Sequence, residues 1–269
     1  MSFTLESERR LAQKGIHQQW ERDYLCDELE TFYNEAFAFI VSELGETAGK
    51  NLLDLGCGNC FHTTRIAKSD LSIVAVDFST AALEQAEKTI LERGLGEQVS
   101  LQQADATKLS FENESFDHVL LWGVLMHIPE VEKALTEAAR VLKPGGKLVL
   151  AENNANSLEA RFVEPTINFL RSLAGKDDRT RRKAHLGVEE WQAAQTGGLM
   201  IRKTDTKALT FYMKSLGLTL DKRVAGQFTE LYTRIPLRRA IHAFNLFWFR
   251  KVRSPHLAYG NILIFQKRS

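Results

Sequence analysis

The sequence predicts an α/β fold with a parallel sheet that carries helices on both faces. Short apolar runs alternate with helical stretches between residues 51 and 152, and this alternation favours right-handed crossovers between parallel strands. The first strands end in a carboxylate or a glycine turn, as is typical where strand ends form a ligand site. With 269 residues, 44% of them hydrophobic and 26% charged, the chain can bury a full core.

The first predicted element is helical and covers residues 5–44. Apolar residues recur there among polar ones, in the pattern of a helix with one apolar face. Because this stretch precedes the first strand, we expect residues 1–48 to form a helical cap over the ligand site. The apolar residues of the pattern are Trp20, Tyr24, Leu25, Leu29, Phe32, Phe37 and Ile40.

The first strand leads into a glycine turn within residues 51–59, which read Asn-Leu-Leu-Asp-Leu-Gly-Cys-Gly-Asn. Gly56 and Gly58 lack a Cβ, so the backbone can adopt a positive φ and approach a ligand closely. The third glycine of a dinucleotide fingerprint would fall at position 61, which is Phe61. That glycine allows close helix packing in pyrophosphate sites. The turn therefore favours a ligand without a pyrophosphate.

Further carboxylates follow the next two strands. Asp77 lies nineteen positions beyond Gly58, where a carboxylate is well placed to accept hydrogen bonds from ribose hydroxyls. Asp105 ends the following strand, and Trp122 comes directly after the next one. The predicted strands after the first cover residues 72–76, 99–105, 116–121 and 147–151, and helical stretches near 61–68, 79–93 and 129–142 separate them.

The last third of the chain is less regular. Residues 155–215 look like helices and loops, with a basic run at 179–183 and a glycine-containing stretch at 196–198. Residues 219–224 and 261–266 read as the last two strands. The 225–258 segment between them is longer than a hairpin needs, and we expect a helix after Pro236.

Together these motifs resemble the class I S-adenosylmethionine (SAM)-dependent methyltransferases, in the style of the small-molecule enzymes of quinone biosynthesis. The likeness covers about residues 50 to 152 and five ordered motifs. It implies a Rossmann-like sheet of seven mostly parallel strands whose last strand is antiparallel. Residues 49–152 would bind SAM, which leaves as S-adenosylhomocysteine. Residues 153–269 would add substrate-side helices and the last two strands within the same structural domain.

The resemblance also implies a set of cofactor-binding residues. The backbone of Gly56 and Gly58 would approach the methionine portion of SAM, and Asp54 would orient the turn or receive the ammonium group. Asp77 would bind the ribose hydroxyls. The remaining implied contacts are Cys57 within the turn, Phe78 beside the adenine ring, Asp105 and Ala106 at the adenine amino group, and Trp122 after the fourth strand. Trp122 reads equally well as a core aromatic residue.

His127 is the candidate catalytic residue. It follows the fourth strand, and a histidine there could take the proton of a hydroxyl as that hydroxyl attacks the methyl group. A structural or substrate-shaping role is the alternative, because methyl transfer asks for little beyond alignment and removal of water. Secondary candidates are Glu152, Tyr24, His185, Tyr212 and Tyr232.

The sequence predicts no metal site. Cys57 and Cys60 form a C-x-x-C pair without a second pair or suitably spaced histidines, so we expect packing residues rather than zinc ligands. No carboxylate cluster matches the metal-dependent catechol-type enzymes. The run Trp122-Gly-Val124 stands where enzymes that methylate exocyclic amines carry Asn-Pro-Pro-Tyr or Asp-Pro-Pro-Tyr.

Charge is distributed unevenly along the chain. Residues 1–152 carry a balance of −11 and residues 153–269 a balance of +12. This imbalance suggests an anionic substrate, membrane surface or nucleic acid at the second half, or attraction between the halves. Residues 234–256 contain six Lys and Arg, no acidic residue and several aromatic rings. They fit either a lid that packs on the core or a peripheral membrane contact.

The expected function is therefore methyl transfer from SAM to a small-molecule acceptor that is anionic or lipid-like, with O-, C- and N-methylation all open. An RNA methyltransferase and a non-catalytic SAM-binding protein are the alternatives. No apolar run is long enough to span a bilayer, and the first residues lack a signal-peptide pattern. A cytoplasmic location is the resulting expectation, and the oligomeric state stays open.

Overall fold

A computed structural model of the chain describes residues 13, 15–16, 27–175, 179–192, 199–231 and 237–268. Several residues singled out in the sequence lie outside the described residues. They are Trp20, Tyr24, Leu25, residues 196–198, Tyr232 and Pro236.

The strands form two sheets. In the described residues they are β1 (Asn51–Leu55), β2 (Ser72–Asp77), β3 (Val99–Gln103), β4 (Phe116–Trp122), β5 (Leu142–Asn153), β6 (Thr180–Ala184), β7 (Gly187–Trp191), β8 (Met200–Thr204), β9 (Leu218–Ala225) and β10 (Gly260–Lys267). The main sheet has seven strands in the order β3-β2-β1-β4-β5-β10-β9. Only β10 runs antiparallel to its neighbours, β5 and β9. The predicted Rossmann-like sheet with an antiparallel last strand is confirmed.

Helices connect these strands and precede them. The described α-helices are α1 (Asp27–Leu44), the one-turn α2 (Thr63–Ile66), α3 (Thr80–Glu92), α4 (Val131–Val141), α5 (Glu164–Leu173), α6 (Thr206–Ser215) and α7 (Arg238–Phe247). A π-helical segment, Glu159–Val163, precedes α5, and another, Trp248–Val252, follows α7. Side chains mark two of the starts. Ser79 Oγ accepts the Ala82 N–H at the start of α3, and Asp205 accepts the N–H groups of Lys207 and Ala208 at the start of α6. Such N-caps satisfy backbone donors that a helix leaves unpaired.

The core consists of two apolar layers, one on each face of the main sheet. Leu52 belongs to the layer that α1 and α3 cover. Leu53 belongs to the opposite layer, which α4 and α6 cover. Neighbouring residues reach opposite layers because side chains alternate across a strand. Each fully buried aliphatic side chain contributes roughly 1.5–3 kcal/mol, so both layers fix the position of the strand ends.

The prediction of helices and loops over residues 155–215 is wrong for β6, β7 and β8, which form a separate antiparallel sheet. All the side chains of β6 are at least partly exposed, so the strand shows no apolar alternation. In β8, the residues that face inward are Met200, Arg202 and Thr204. A buried arginine hides the period-two pattern on which sequence-based strand prediction depends.

Among the first five strands, the bounds of β3 and β5 differ most from the prediction. β3 ends at Gln103, two residues before Asp105. β5 begins at Leu142 and includes the Pro-Gly-Gly turn, with an irregular register where it pairs with β4. A Cβ at Gly146 would lie 2.6 Å from the Asp117 carbonyl oxygen, so the close approach of β4 explains the glycine. The last two strands, β9 and β10, are confirmed and are slightly longer than predicted.

The strand order reverses between β1 and β4. From β1 the chain proceeds outward to β2 and β3, then returns to place β4 on the other side of β1. Ligand sites in sheets of this kind lie at the carboxyl ends of the strands, where the order reverses. Among the described helices, none combines the length and apolar character needed to cross a membrane.

Candidate functional site

A cavity of about 900 Å³ opens at the carboxyl ends of β1, β2, β4 and β5. All ten site residues named from the sequence line it. They are Asp54, Gly56, Cys57, Gly58, Asp77, Phe78, Asp105, Ala106, Trp122 and His127. The fold therefore brings the predicted residues together.

The glycine turn closes tightly against its neighbours. The N–H groups of Gly56 and Cys57 both donate to the Val76 carbonyl oxygen, at 2.8 and 2.9 Å. Gly56 has a φ of 82°, a left-handed conformation that glycine adopts most readily. A Cβ at this position would lie 2.6 Å from the Val124 side chain. Both backbone conformation and space therefore require glycine there.

Asp77 holds the turn from the end of β2. Its Oδ2 accepts the Gly58 N–H at 3.0 Å, and its Oδ1 accepts the Ser79 N–H at 2.9 Å. An ionised carboxylate offers about four lone-pair sites. Asp77 can therefore fix the turn and still accept hydrogen bonds from a ligand in the cavity.

Asp54 lies beneath the turn and is almost fully buried. Thr63 Oγ1, at the start of α2, donates to its Oδ2 at 2.6 Å. Burial raises the pKa of Asp54 to about 6, although the Thr63 hydrogen bond opposes the shift and the nearby Asp77 charge adds to it. Asp54 thus connects the turn to the following helix and supplies negative character to the cavity floor.

The rim beyond β3 contains the predicted adenine-side residues. Asp105 Oδ1 accepts both the N–H and the Oγ1 hydroxyl of Thr107, each at 2.8 Å. The Phe78 ring is 39% exposed, and Gln103 Nε2 donates to the Phe78 carbonyl oxygen at 3.0 Å. Gln103 was not foreseen as a lining residue because its position beside Phe78 depends on the pairing of β2 with β3.

An aromatic cluster forms another wall. The Trp122 ring packs on Phe37 of α1 with centroids 4.6 Å apart and on His62 at 5.4 Å. The edge of Tyr33 faces His62 at 4.6 Å. Trp122 therefore satisfies both sequence interpretations, since it packs against the core and lines the cavity. Burial lowers the pKa of His62 to about 3, which keeps the ring neutral.

His127 lies in a single helical turn, Leu125–His127, after β4. Its Nδ1 is 3.1 Å from the Met200 carbonyl oxygen. A carbonyl oxygen only accepts, so Nδ1 carries the hydrogen and Nε2 carries the lone pair. Burial lowers the pKa of His127 to about 4. The ring is consequently neutral at physiological pH.

Glu152, a secondary candidate, lies at the end of β5 and is 3% exposed. Its Oε1 accepts the Leu125 N–H at 3.0 Å. Burial raises its pKa to about 8, although hydrogen bonds from backbone N–H groups and the nearby Arg202 charge oppose this shift.

Gln227, after β9, also lines the cavity. It was not foreseen because it belongs to the long insertion between the last two strands.

Arg202 supports the loop that carries His127. This side chain is 1% exposed. Its Nη1 donates to the carbonyl oxygens of Leu125 and Ile128, at 2.9 and 2.7 Å. Its Nη2 donates to the Pro129 carbonyl oxygen at 3.0 Å and to Glu189 at 2.7 Å. One side chain of β8 therefore joins the small sheet to the cavity wall.

The described part of the cavity lining is acidic. It contains no lysine or arginine, and both lining histidines are kept neutral by burial. This lining favours a positively charged ligand. Its carboxyl groups belong to Asp54, Asp77, Asp105, Glu130, Glu152 and Glu230.

Comparison with known proteins decides what kind of domain surrounds this cavity. Residues 53–150 match a family model described as a methyltransferase domain. Residues 53–150 of the chain therefore belong to a methyltransferase domain.

Two curated relatives of the methyltransferase domain have named acceptors. The demethylmenaquinone methyltransferase of Clavibacter sepedonicus is 38% identical over 105 residues, which are 39% of this chain and 42% of that protein. The 27-O-demethylrifamycin SV methyltransferase of Amycolatopsis mediterranei strain S699 is 35% identical over 106 residues, 39% of each chain. The chain thus spans about two fifths of the length of these relatives.

A solved structure extends the likeness of the fold beyond the domain. The crystal structure of a SAM-dependent methyltransferase from Methanosarcina mazei aligns with a TM-score of 0.58 and 20% identity. The alignment covers 86% of this chain and 97% of that one. At this identity the likeness concerns the fold alone.

The basic run lies away from the cavity of the methyltransferase domain. Arg179 and Arg181 both approach Glu190 of β7, each with a nitrogen 3.3 Å from a carboxylate oxygen. Arg182 is exposed and lies opposite Glu189 in the register of β6 and β7. Cross-strand glutamates thus stand opposite Arg181 and Arg182 and stabilise the small sheet, and Arg179 also donates to Asn168 of α5.

Two secondary candidates also lie outside the cavity lining. His185 Nδ1 is 3.5 Å from a carboxylate oxygen of Glu132 on α4. The Tyr212 hydroxyl donates to the Glu132 carbonyl oxygen at 3.1 Å. Both side chains therefore pack α6 and the small sheet against α4.

The aromatic residues of the insertion divide into two groups. Phe249 is buried, and its ring meets Phe32 of α1 edge-on at 5.3 Å. Trp248 packs on Phe228 at 4.4 Å. Phe247 is 52% exposed. One part of the insertion consequently packs on the core, as a lid would, while another part leaves an apolar ring in solvent.

The cysteine pair of the turn contains free thiols. The hydrogen bond with the neighbouring Cys60 and, second, burial raise the pKa of Cys57, so its thiolate is disfavoured. Within the described ranges, no group of three or more histidine, cysteine or acidic side chains is arranged to hold a metal ion.

Proposed function

We propose that this chain transfers a methyl group from SAM to a small-molecule acceptor bound in the cavity. The observation that carries the proposal is the composition of one continuous cavity. The glycine turn and Asp77 lie in it together with side chains from α1, β8 and β10. Small-molecule sites usually enclose roughly 300 to 1,000 Å³, so about 900 Å³ suits a cofactor and an acceptor side by side.

The lining fits the cofactor. SAM supplies a methyl group on a positively charged sulfonium, and the described lining is acidic without lysine or arginine. Asp77 would bind the ribose hydroxyls, as its remaining lone pairs allow. The turn residues Asp54, Gly56, Cys57 and Gly58 would hold the methionine portion, and Phe78, Asp105, Ala106 and Trp122 would hold the adenine side.

The residues of this chain would act mainly by alignment and by excluding water. Phe32 and Tyr33 of α1 line the cavity, which supports the proposal that residues 1–48 cap the site. Holding two reactants in a near-attack geometry removes much of the entropic barrier. A closed apolar wall also keeps water from the reacting methyl group.

His127 is the proposed catalytic residue of the loop after β4. A general base works best when its pKa lies near the working pH, and the pKa of about 4 makes His127 a weak one. We therefore expect positioning through its bond to Met200 to dominate. The variant His127→Gln should lower kcat less than tenfold, whereas a general base would contribute about a hundredfold or more. A pH–rate profile of the wild type and of His127→Gln would separate the two roles. A general base gives a titration in the wild-type profile that the variant lacks, whereas a positioning residue gives profiles of the same shape.

The acceptor class follows from the lining and from the relatives. Demethylmenaquinone and 27-O-demethylrifamycin SV, the acceptors named for two relatives, are small molecules. The described lining offers no cation to a carboxylate or phosphate, so we favour an uncharged acceptor over the anionic one expected from the charge pattern. We also propose that the acceptor is lipid-like and that the methyl group is transferred to one of its oxygen, carbon or nitrogen atoms.

Turnover of a metabolite extract tests the function. The full chain is incubated with the extract and SAM, and mass spectrometry then searches for metabolites that gain the mass of one methylene group. We expect such a product together with S-adenosylhomocysteine. Methyl incorporation into RNA added in a parallel reaction would favour the RNA alternative. SAM binding without any turnover would favour the non-catalytic alternative.

Contact with a membrane surface through residues 234–256 is a further part of the proposal. The exposed rings of Phe244 and Phe247 on α7 support it, as does the absence of acidic residues from this segment. Co-sedimentation with anionic phospholipid vesicles tests it. Failure to sediment with them would leave the segment as a lid only.

A further inference from the structure

Two buried oxygen atoms on the β5–β10 side of the cavity lack a hydrogen-bond partner among the described residues. They are Glu152 Oε2 and Gln227 Oε1. Both side chains line the cavity and are less than a tenth exposed. A buried polar group without a partner is destabilising, because its loss of water is not compensated by a hydrogen bond. A ligand that supplies the missing hydrogen bonds would recover this free energy.

The sheet register places these side chains on neighbouring stretches of backbone. Glu152 of β5 pairs with Asn261 of β10. The adjacent Gly260 donates its N–H to the Gln227 carbonyl oxygen at 2.8 Å. Neighbouring strands lie about 4.8 Å apart, so two spacings separate the backbones of Glu152 and Gln227. The cofactor-side carboxylates Asp54 and Asp77 follow β1 and β2 instead.

The chemistry of the two oxygen atoms selects the ligand group. Glu152 Oε1 is occupied by the Leu125 N–H. The pKa of about 8 leaves the carboxyl protonated at neutral pH, so Oε2 can donate. Gln227 Oε1 can only accept. A hydroxyl group can accept from the first and donate to the second, whereas an ether or a phosphate oxygen cannot donate.

We propose that Glu152 and Gln227 form a subsite for an uncharged hydroxyl group of the methyl acceptor. The proposal rests on the proposed function, because it identifies the acceptor that shares the cavity with SAM. The substrate class is a neutral alcohol, phenol or enol. Carboxylates and phosphates are disfavoured because the described lining contains no lysine or arginine.

Binding of three naphthalene probes to the full chain tests the subsite. Isothermal titration calorimetry compares 1-naphthol, 1-methoxynaphthalene and 1-naphthyl phosphate on protein saturated with S-adenosylhomocysteine. We expect 1-naphthol to bind at least tenfold more tightly than either of the others. The variant Gln227→Leu should reduce this preference to less than threefold. The matched control Gln102→Leu, on the exposed part of β3, should retain it.

Glu152 has its own pair of variants. Glu152→Gln keeps an oxygen for the Leu125 N–H and a donor at the position of Oε2, so it should retain the preference for 1-naphthol. Glu152→Leu removes both groups and should lose the preference. Unchanged binding of S-adenosylhomocysteine would show that each variant is folded.

Three results would overturn the subsite. The first is equal affinity of the wild-type protein for 1-naphthol and 1-methoxynaphthalene, including no binding of either. The second is a preference that survives both Gln227→Leu and Glu152→Leu. The third is tightest binding of 1-naphthyl phosphate, which would indicate an anion site instead. Absence of S-adenosylhomocysteine binding to the wild type would instead contradict the proposed function.

Discussion

Asp77 has two tasks at the cofactor end of the cavity. Its two oxygen atoms hold the N–H groups of Gly58 and Ser79, and we propose that the carboxylate also accepts hydrogen bonds from the ribose hydroxyls of SAM. The sequence indicated the second task, since the offset from the glycine turn is sufficient to predict a ribose carboxylate. The first task is visible only in the folded turn.

The variant Asp77→Asn should weaken SAM binding at least tenfold. An amide replaces one acceptor oxygen with a donor, so it cannot satisfy both N–H groups and the ribose together. Calorimetric titration with SAM measures the change. Asp70→Asn, an exposed position before β2, is the matched control and should bind like the wild type. A dissociation constant of Asp77→Asn within twofold of the wild-type value would contradict the assignment.

Glu152 should make stability depend on pH. Its pKa is about 8 in the folded chain against 4.5 as the reference value, so the folded state binds more protons between these values. Its contribution is fully present below about pH 4.5 and is lost as the pH rises through 8. The size, at about 1.4 kcal/mol per pKa unit, is on the order of 5 kcal/mol.

Urea unfolding of the wild type and Glu152→Gln from about pH 5 to 9 measures this dependence. The amide does not ionise, so the variant should become more stable than the wild type as the pH rises. The control Glu112→Gln, at an exposed loop position, should show a difference that does not change with pH. If the difference in free energy of unfolding between Glu152→Gln and the wild type is also independent of pH, Glu152 ionises like an exposed glutamate and the prediction is wrong.

At the scale of elements, strands β6, β7 and β8 show where sequence patterns fail. In β6 and β7, arginines stand opposite glutamates, as Arg181 does opposite Glu190. In β8, Arg202 occupies an inward position that an apolar residue normally fills. Such strands are stabilised by pairing and by specific hydrogen bonds, so local hydrophobicity does not reveal them.

Removal of Arg202 should loosen the small sheet from the cavity wall. Arg202→Met would remove the guanidinium that donates to three carbonyl oxygens of the loop and to Glu189. Breaking a buried ion pair in this way costs roughly 3–5 kcal/mol. Urea unfolding measures the loss, and Arg182→Met, exposed on β6, serves as the control. A loss no larger than that of the control would contradict the proposed support.

At the scale of the whole molecule, the two oppositely charged halves of the chain attract one another. Lys222 Nζ lies 2.6 Å from a carboxylate oxygen of Glu43, and Lys267 Nζ lies 3.4 Å from one of Glu114. Arg250 pairs with Glu35. The attraction between halves that the charge pattern allowed is therefore present in the fold. An anionic partner is not needed to explain the basic second half.

A double-mutant cycle on Glu43 and Lys222 measures this attraction. Glutamine substitutions, singly and together, should give a coupling free energy of roughly 0.2–1 kcal/mol in urea unfolding. The coupling should fall at high salt because salt screens exposed charges. Glu130, directly before α4, and Lys133 on α4 form a comparison pair within one half. A coupling free energy of zero between Glu43 and Lys222 at low salt would show that this ion pair does not contribute to the attraction between the halves.

The cofactor end of the cavity could be predicted because its signals are local. A strand, a glycine turn and the next carboxylate lie within about thirty positions, from Asn51 to Asp77. The conformational demands on Gly56 follow from the turn itself. The same holds for the order of strands and helices up to residue 152, since apolar periodicity reports each element separately.

Only the tertiary structure decided the acceptor end. Glu152, Gln227 and Arg202 are far apart in sequence, and each acquires its environment from a different strand or loop. The pKa of Glu152 depends on complete burial beneath the loop after β4, and the position of Gln227 depends on the pairing of β10 with its neighbours. Sequence by itself therefore predicted the methyl donor, because the strand, the glycine turn and the following carboxylate lie close together in the chain. Long-range packing determined which side chains line the end of the cavity where we propose that the acceptor binds.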